Sequence, residues 1–221
     1  MEKLYDYLRE FLTPERQVLF DRMVEERTKH IAVVVEDIYQ PHNASAVLRS
    51  CDCFGVQDVH VIENRNIYEL NKRVSMGSNK WLTMHYHNQE TNNTAACLKE
   101  LKSKGYKIIA TTPHENSSMI QDLDISEPIA LVFGTEMEGV SEEVRQHADG
   151  FVKIPMYGFT ESFNISVAAA ISLYELCHRL RLEVDNWKLT EDEKKAVKLG
   201  WAKKSIKNCE MIIKRFESEN E

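Results

Sequence analysis

Ile31-Ala32-Val33-Val34-Val35-Glu36 is a run of β-branched and small apolar residues that ends at an acid. Alternation of apolar and polar residues would mark a strand wetted on one face. An unbroken valine-rich run marks a strand covered on both faces, as in the middle of a parallel sheet. Outward from it, shorter runs of the same kind recur at 59–62, 107–111, 129–133 and 151–154. Helical stretches at 44–54, 94–104 and 141–148 separate them, and 165–182 follows as a strongly apolar helix. Strands alternating with helices predict an α/β domain with a mostly parallel sheet and helices on both faces.

The ends read differently. Leu4, Leu8, Phe11 and Leu12 recur at helical spacing, and Thr13-Pro14-Glu15 opens a second helix with Thr13 as N-cap and Pro14 at its first position. After Asp185-Asn186 the chain turns polar, and residues 190–216 predict one or two helices starting at Thr190, with Glu193 placed to complete a capping box. The expected division is a helical extension over 1–30, a central domain over 31–184 and a second helical extension over 185–221.

At 221 residues and 43% hydrophobic content the chain can bury one sizeable core. It has no window near the ~18 consecutive apolar residues of a membrane span, and its start alternates charge with apolar residues, unlike a secretory signal. A cytoplasmic protein with no membrane partner is expected. The five cysteines are an odd number, and Cys51 and Cys53, the one close pair, have poor zinc spacing. Reduced thiols and no metal are expected. The net charge of −7 argues against a nucleic-acid partner, yet 198–215 carries Lys198, Lys203, Lys204, Lys207, Lys214 and Arg215 against the single acid Glu210.

A parallel sheet invites a nucleotide cofactor beyond the carboxyl ends of its strands, but none of the eight glycines falls in G-x-G-x-x-G or G-x-x-x-x-G-K spacing. Three other segments follow strands. Pro41-His42-Asn43-Ala44-Ser45-Ala46-Val47-Leu48-Arg49-Ser50 offers Asn43 as a helix cap and Arg49 six residues on. Leu131-Val132-Phe133-Gly134-Thr135-Glu136-Met137-Glu138-Gly139-Val140 runs from a buried strand into a loop whose two glycines let a backbone approach a ligand closely, or simply turn toward a helix capped by Ser141. Ile154-Pro155-Met156-Tyr157-Gly158-Phe159-Thr160-Glu161-Ser162-Phe163-Asn164-Ile165-Ser166 presents Ser162 and Asn164 ahead of a small-residue helix start suited to close packing.

In this order, with Ser75-Met-Gly-Ser-Asn-Lys-Trp81 between the first two, these segments resemble the three motifs of the SpoU/TrmH branch of the SPOUT methyltransferases. The likeness covers roughly 33–182. It implies a deep trefoil knot in the C-terminal half of the domain, S-adenosylmethionine held among the knot loops, and a homodimer whose active site uses both subunits. Carried over residue by residue, it implies Arg49 as the catalytic arginine, Asn43 as the residue that places it, and Glu136, Ser162 and Asn164 as further active-site groups. Thr112, Gly134, Ile154 and Phe163 would cradle the cofactor, largely by main chain.

Short helical extensions at both ends are similar to those of the branch's tRNA-modifying members. They imply methylation of the ribose 2′-hydroxyl of guanosine 18 in the D-loop of tRNA. Lys80, Arg179, Arg181, Lys203, Lys204 and Lys207 are the candidate RNA contacts. The alternatives are the same chemistry on another tRNA or rRNA nucleotide, a non-catalytic RNA-binding dimer, and an enzyme of small nucleotides, which only the acidic net charge favours.

Overall fold

The computed structural model describes residues 2–66, 68, 71, 75, 77–113 and 117–219. Met76, in the segment between the first two motifs, lies outside them. Two compact units result: Lys29–Trp187, and Met1–Thr28 together with Lys188–Glu221.

In the larger unit, β1 (Ile31–Glu36), β2 (Asp58–Ile62), β3 (Thr83–His87), β4 (Lys107–Thr111), β5 (Ser118–Met119), β6 (Ile129–Phe133) and β7 (Gly150–Lys153) form one sheet in the order β3-β2-β1-β6-β4-β7-β5. Its pairings are parallel. Each parallel neighbour requires a crossover, and α3 (Pro41–Phe54), α4 (Asn93–Ser103), α5 (Glu142–His147) and α6 (Ile165–Glu183) are the helices available to cover the faces. The period of two sorts the strand residues. Ile31, Val33 and Val35 of β1 join Val47 and Leu48 of α3 and Leu173, Leu176 and Leu180 of α6 in one core. Ala32 and Val34 join Leu98 and Leu101 of α4 and Val144 of α5 in the other. Every residue of β1 is buried, as its unbroken apolar run requires.

Two acids at the end of β1 staple the loops above it. Glu36 is buried and accepts hydrogen bonds from the Thr94 hydroxyl at 2.6 Å, the Ser141 hydroxyl at 2.8 Å and the Ser141 amide at 3.1 Å. One carboxylate thus anchors the starts of α4 and α5. Asp37, at φ 50°, accepts the amides of Asn64 and Arg65 at 2.7 and 2.9 Å.

The smaller unit contains α1 (Glu2–Arg9), α2 (Pro14–Val24), α7 (Glu191–Ser205) and α8 (Cys209–Glu219). Thr13 caps α2 with Pro14 at its first position, and Thr190 and Glu193 form the capping box of α7. Phe11 and Leu12 are not helical: α1 stops at Arg9, and the chain turns through residues 10–12 before Thr13 caps α2. Phe20 packs edge-on against Trp201, with ring centroids 5.3 Å apart, and Arg27 lies 5.4 Å from the Trp201 ring centre. Asn208, at φ 56°, breaks the tail into two helices, a left-handed position that asparagine tolerates.

Candidate active site

The loops leaving β4, β6 and β7 converge, together with the start of α6, on a cavity of about 360 Å³. It lies where parallel sheets bind ligands, beyond the carboxyl ends of the strands. Thr112, Gly134, Ile154 and Phe163 line it, as do Glu136, Ser162 and Asn164.

The β6 loop is built for close approach. Thr135 donates its amide to the Gly139 carbonyl at 2.9 Å, and Gly139 returns its own to the Thr135 carbonyl at 3.1 Å. A Cβ at Gly134 would stand 2.1 Å from the Gly139 oxygen, and Gly139 holds φ +72°, so glycine is required at the first position by space and favoured at the second by conformation. A plain turn toward the next helix accounts for the Ser141 cap, whose hydroxyl accepts the Val144 amide at 3.2 Å, but not for this closure.

Asn43 corrects the sequence reading. It does not cap α3. Pro41, with φ already helical, starts the helix three residues earlier than a cap at Asn43 would, and Gln40 takes the cap position without a side-chain bond. Buried inside the first turn, Asn43 instead donates its amide to Glu136 Oε1 at 2.8 Å and accepts the Asn164 amide at 3.2 Å. Asn164 in turn caps α6, accepting the Ser166 amide at 2.9 Å and its hydroxyl at 2.6 Å. One asparagine therefore joins all three motifs at the rim of the cavity. Ser162 is exposed beside it.

Arg49 does not join this group within the chain. It is exposed on α3 and is not among the cavity's lining residues. Six residues from Asn43 is about 9 Å along the axis and about 120° away around it.

The RNA candidates divide. Lys80 is exposed at the end of a short 3₁₀ turn, Ser78–Lys80, and Lys203, Lys204 and Lys207 are exposed at and just after the end of α7 in the smaller unit. Arg179 and Arg181 are engaged internally. Arg179 forks onto Glu183 with two 2.9 Å bonds, which raise its pKa, and also donates to the Leu123 carbonyl at 2.9 Å. Arg181 donates to the Cys177 and Phe54 carbonyls at 2.8 and 3.1 Å and lies 4.7 Å from the Trp187 ring centre.

Sequence reasoning missed Ser172. It is 1% exposed, its hydroxyl has no hydrogen-bond partner in the protein, and it lines the cavity from α6. A lone serine within Ala168-Ala169-Ala170-Ile171-Ser172-Leu173 was the available signal.

A parallel α/β sheet with a main-chain crevice in place of a glycine-rich dinucleotide loop defines the class to which this domain belongs. The family model described as "SpoU rRNA Methylase family" matches residues 30–174. A tRNA (guanosine(18)-2′-O)-methyltransferase of Borreliella burgdorferi is 40% identical over 93% of this chain and 92% of its own length. The enzyme of the same name from Thermus thermophilus is 33% identical over 87% and 98%. Among solved structures, the A. aeolicus TrmH/SpoU tRNA modifying enzyme superposes with a TM-score of 0.78 at 29% identity, covering 88% of this chain and 98% of that one. The chain belongs to the SpoU rRNA methylase family.

Proposed function

We propose that this protein transfers a methyl group from S-adenosylmethionine to the ribose 2′-hydroxyl of guanosine 18 in tRNA. The observation that carries the reading is the Asn43–Glu136–Asn164 hydrogen-bonded group, which fixes three loops around a cavity whose wall admits no side chain at Gly134. Relatives named for that reaction align over 93% and 87% of the chain.

The cavity fits the cofactor. The unpartnered Ser172 hydroxyl needs a polar neighbour there, the buried Thr112 lines the same cavity, and Ile154 and Phe163 supply apolar wall for an adenosine. When bound, S-adenosylmethionine supplies an electrophilic methyl group. The protein's own residues must then hold the ribose in line and manage the 2′-hydroxyl proton. Asn43 holds Glu136 and Asn164 at the rim, where the exposed Ser162 also lines the cavity.

Arg49 is the positively charged candidate, and deprotonating an arginine near pH 7 costs roughly 7–9 kcal/mol. On that magnitude it acts charged, stabilising the developing alkoxide and gripping a neighbouring phosphate through its planar fork. Because Arg49 is exposed and does not line its own chain's cavity, the reading includes a homodimer in which Arg49 serves a site shared with the partner subunit. The exposed Tyr157, Phe159, Phe163, Val167 and Tyr174, on or next to the third motif and α6, support such an interface. A trefoil knot in the C-terminal half belongs to the same reading and would interlock the loops that form the cavity.

Residues 31–184 are then the methyltransferase domain, and 1–30 and 185–221 serve the tRNA. A cytoplasmic location suits that substrate, and no helix among the described residues is long and apolar enough to cross a membrane.

Labelled S-adenosylmethionine and unmodified tRNA, followed by mapping of the product, test the reading. Label at guanosine 18 alone is expected. Label at another nucleotide would move the target, and tRNA binding without any transfer would leave a non-catalytic RNA-binding dimer.

A further inference from the structure

The cofactor cavity lies beyond β4, β6 and β7. Toward the opposite edge of the sheet, β2, β3 and α4 bring two imidazoles and a thiol together in the core. The parallel register sets His60 against His85 and Ile62 against His87, so the period of two puts His60 and His87 on one face, diagonal to each other. Cys97 comes down onto that face from α4, in the same turns as the buried Leu98 and Leu101. His60 Nδ1 and His87 Nε2 are 3.0 Å apart, and one ring nitrogen of each histidine and Cys97 Sγ all lie within 4.8 Å of one another. His60 is 2% exposed, Cys97 0%, and the His87 side chain 11%, so the group is shielded yet reachable past the edge strand.

We propose that His60, His87 and Cys97 form a zinc site that clips α4 to the edge of the sheet. Two imidazoles and a thiolate are the ligand types zinc takes, whereas hard cations such as magnesium and calcium take oxygen. Zinc–nitrogen bonds of about 2.0–2.1 Å in a tetrahedron place two nitrogens roughly 3.3–3.4 Å apart, so the observed pair needs to open by only a few tenths of an ångström.

The surroundings fit a ligand set as well. The other ring nitrogen of His87, Nδ1, lies 4.0 Å from Glu100 Oε2, near a carboxylate but beyond hydrogen-bond distance. Glu100 sits three residues beyond Cys97 on the same helix. His85 stacks on His60 with centroids 4.3 Å apart and planes 11° from parallel, fixing the ring's attitude. Zinc takes a cysteine as its thiolate, so the Cys97 thiol gives up its proton on binding.

Binding therefore exchanges charge in a defined way. The Cys97 S–H bond breaks, the S–Zn bond forms, and one proton leaves to solvent. The proton between the two histidines moves to a non-ligating ring nitrogen and stays on the protein. Three protein ligands leave a fourth position for water. The methyl transfer proposed above calls on no metal, and this site lies across the sheet from that chemistry.

The expectation of a metal-free chain was drawn from cysteine spacing. A ligand set assembled from two strands and a helix has no such spacing to show.

The test uses the whole chain, stripped with a chelator and titrated with zinc against a chromophoric competitor, with cobalt as the spectroscopic probe. One zinc per chain, release of about one proton per ion, and a thiolate-to-cobalt charge-transfer band are expected. His87→Gln, which removes one of three protein ligands, should weaken zinc binding by at least ~100-fold. Cys53→Ser, which removes an exposed thiol outside the cluster, should change nothing. The cobalt band needs no variant, so it decides the matter even if His87→Gln folds poorly. Absence of that band, or zinc held by His87→Gln as tightly as by the parent, overturns the proposal.

Discussion

Arg49 shows how far one residue's chemistry can be bounded before any assay. Lysine at this position keeps the charge and loses a proton more easily, but it lacks the planar fork that grips a phosphate with two bonds. If geometry limits the reaction, Arg49→Lys should bind S-adenosylmethionine as the parent does and lose at least ~100-fold in turnover under saturating substrate. Substantial activity with a pH profile shifted downward would favour arginine as base, and near-normal activity in Arg49→Ala would sink both roles. Arg49 is picked out in the sequence by its motif alone; that it is exposed and does not line its own chain's cavity could not be read there, since six residues along a helix do not reveal what lies opposite. Asn43 is the converse case. Its place at the start of α3 invited a cap, and its real partners, Glu136 and Asn164, are 93 and 121 residues away. Local spacing cannot report a bond across that much chain. Ser172 was hidden because a serine in an apolar helix signals nothing until a cavity is seen beside it.

At the scale of elements, the strands that read clearly were those buried on both faces, β1 above all. β3 escaped because Thr83-Met-His-Tyr-His87 is an edge strand, half wetted and without an apolar run, so neither period nor propensity sets it apart. The β6 loop carries a sharper consequence. In Gly134→Ala the new methyl would meet Gly139 backbone at 2.1 Å, and backbone cannot swing aside as a side-chain tip can. The loop must open, and S-adenosylmethionine affinity measured by calorimetry should fall by at least ~10-fold, with the rest of the sheet intact by circular dichroism. An unchanged affinity would show that this loop does not shape the cofactor site. Glu36 tests the other end of β1. Replacing it with alanine removes the acceptor for three hydrogen bonds and leaves the buried Thr94 hydroxyl and the Ser141 groups without it, a loss of about 3 kcal/mol in chemical denaturation. A change below about 1 kcal/mol would mean that water replaces the carboxylate at little cost.

For the whole molecule, the acidic net charge was the least informative quantity, because a nucleic acid meets a surface patch and not the sum. The homodimer is the first expectation at this scale: sedimentation at micromolar concentration should give twice the chain mass, with an interface above ~2,000 Å² as obligate dimers have. A monomer would remove the partner that Arg49 requires. The second concerns the smaller unit. Its lysines Lys203, Lys204 and Lys207 are exposed where α7 ends, and Lys203 and Lys204 already favour the negative end of that helix's dipole. That electrostatic role explains two of them without any RNA, so exposure alone does not decide. Counterion release does. Each phosphate contact steepens the fall of log affinity with log salt by about 0.7–0.9, and three contacts amount to roughly 2–3 units of slope. Replacing all three with alanine should flatten the salt dependence of tRNA binding by that amount and leave cofactor affinity unchanged, since a phosphate contact has no part in holding S-adenosylmethionine. If the variant binds tRNA with the parent's slope, the lysines serve only the helix end and solvent, and the tRNA backbone must be gripped elsewhere, with Lys80 the next to replace.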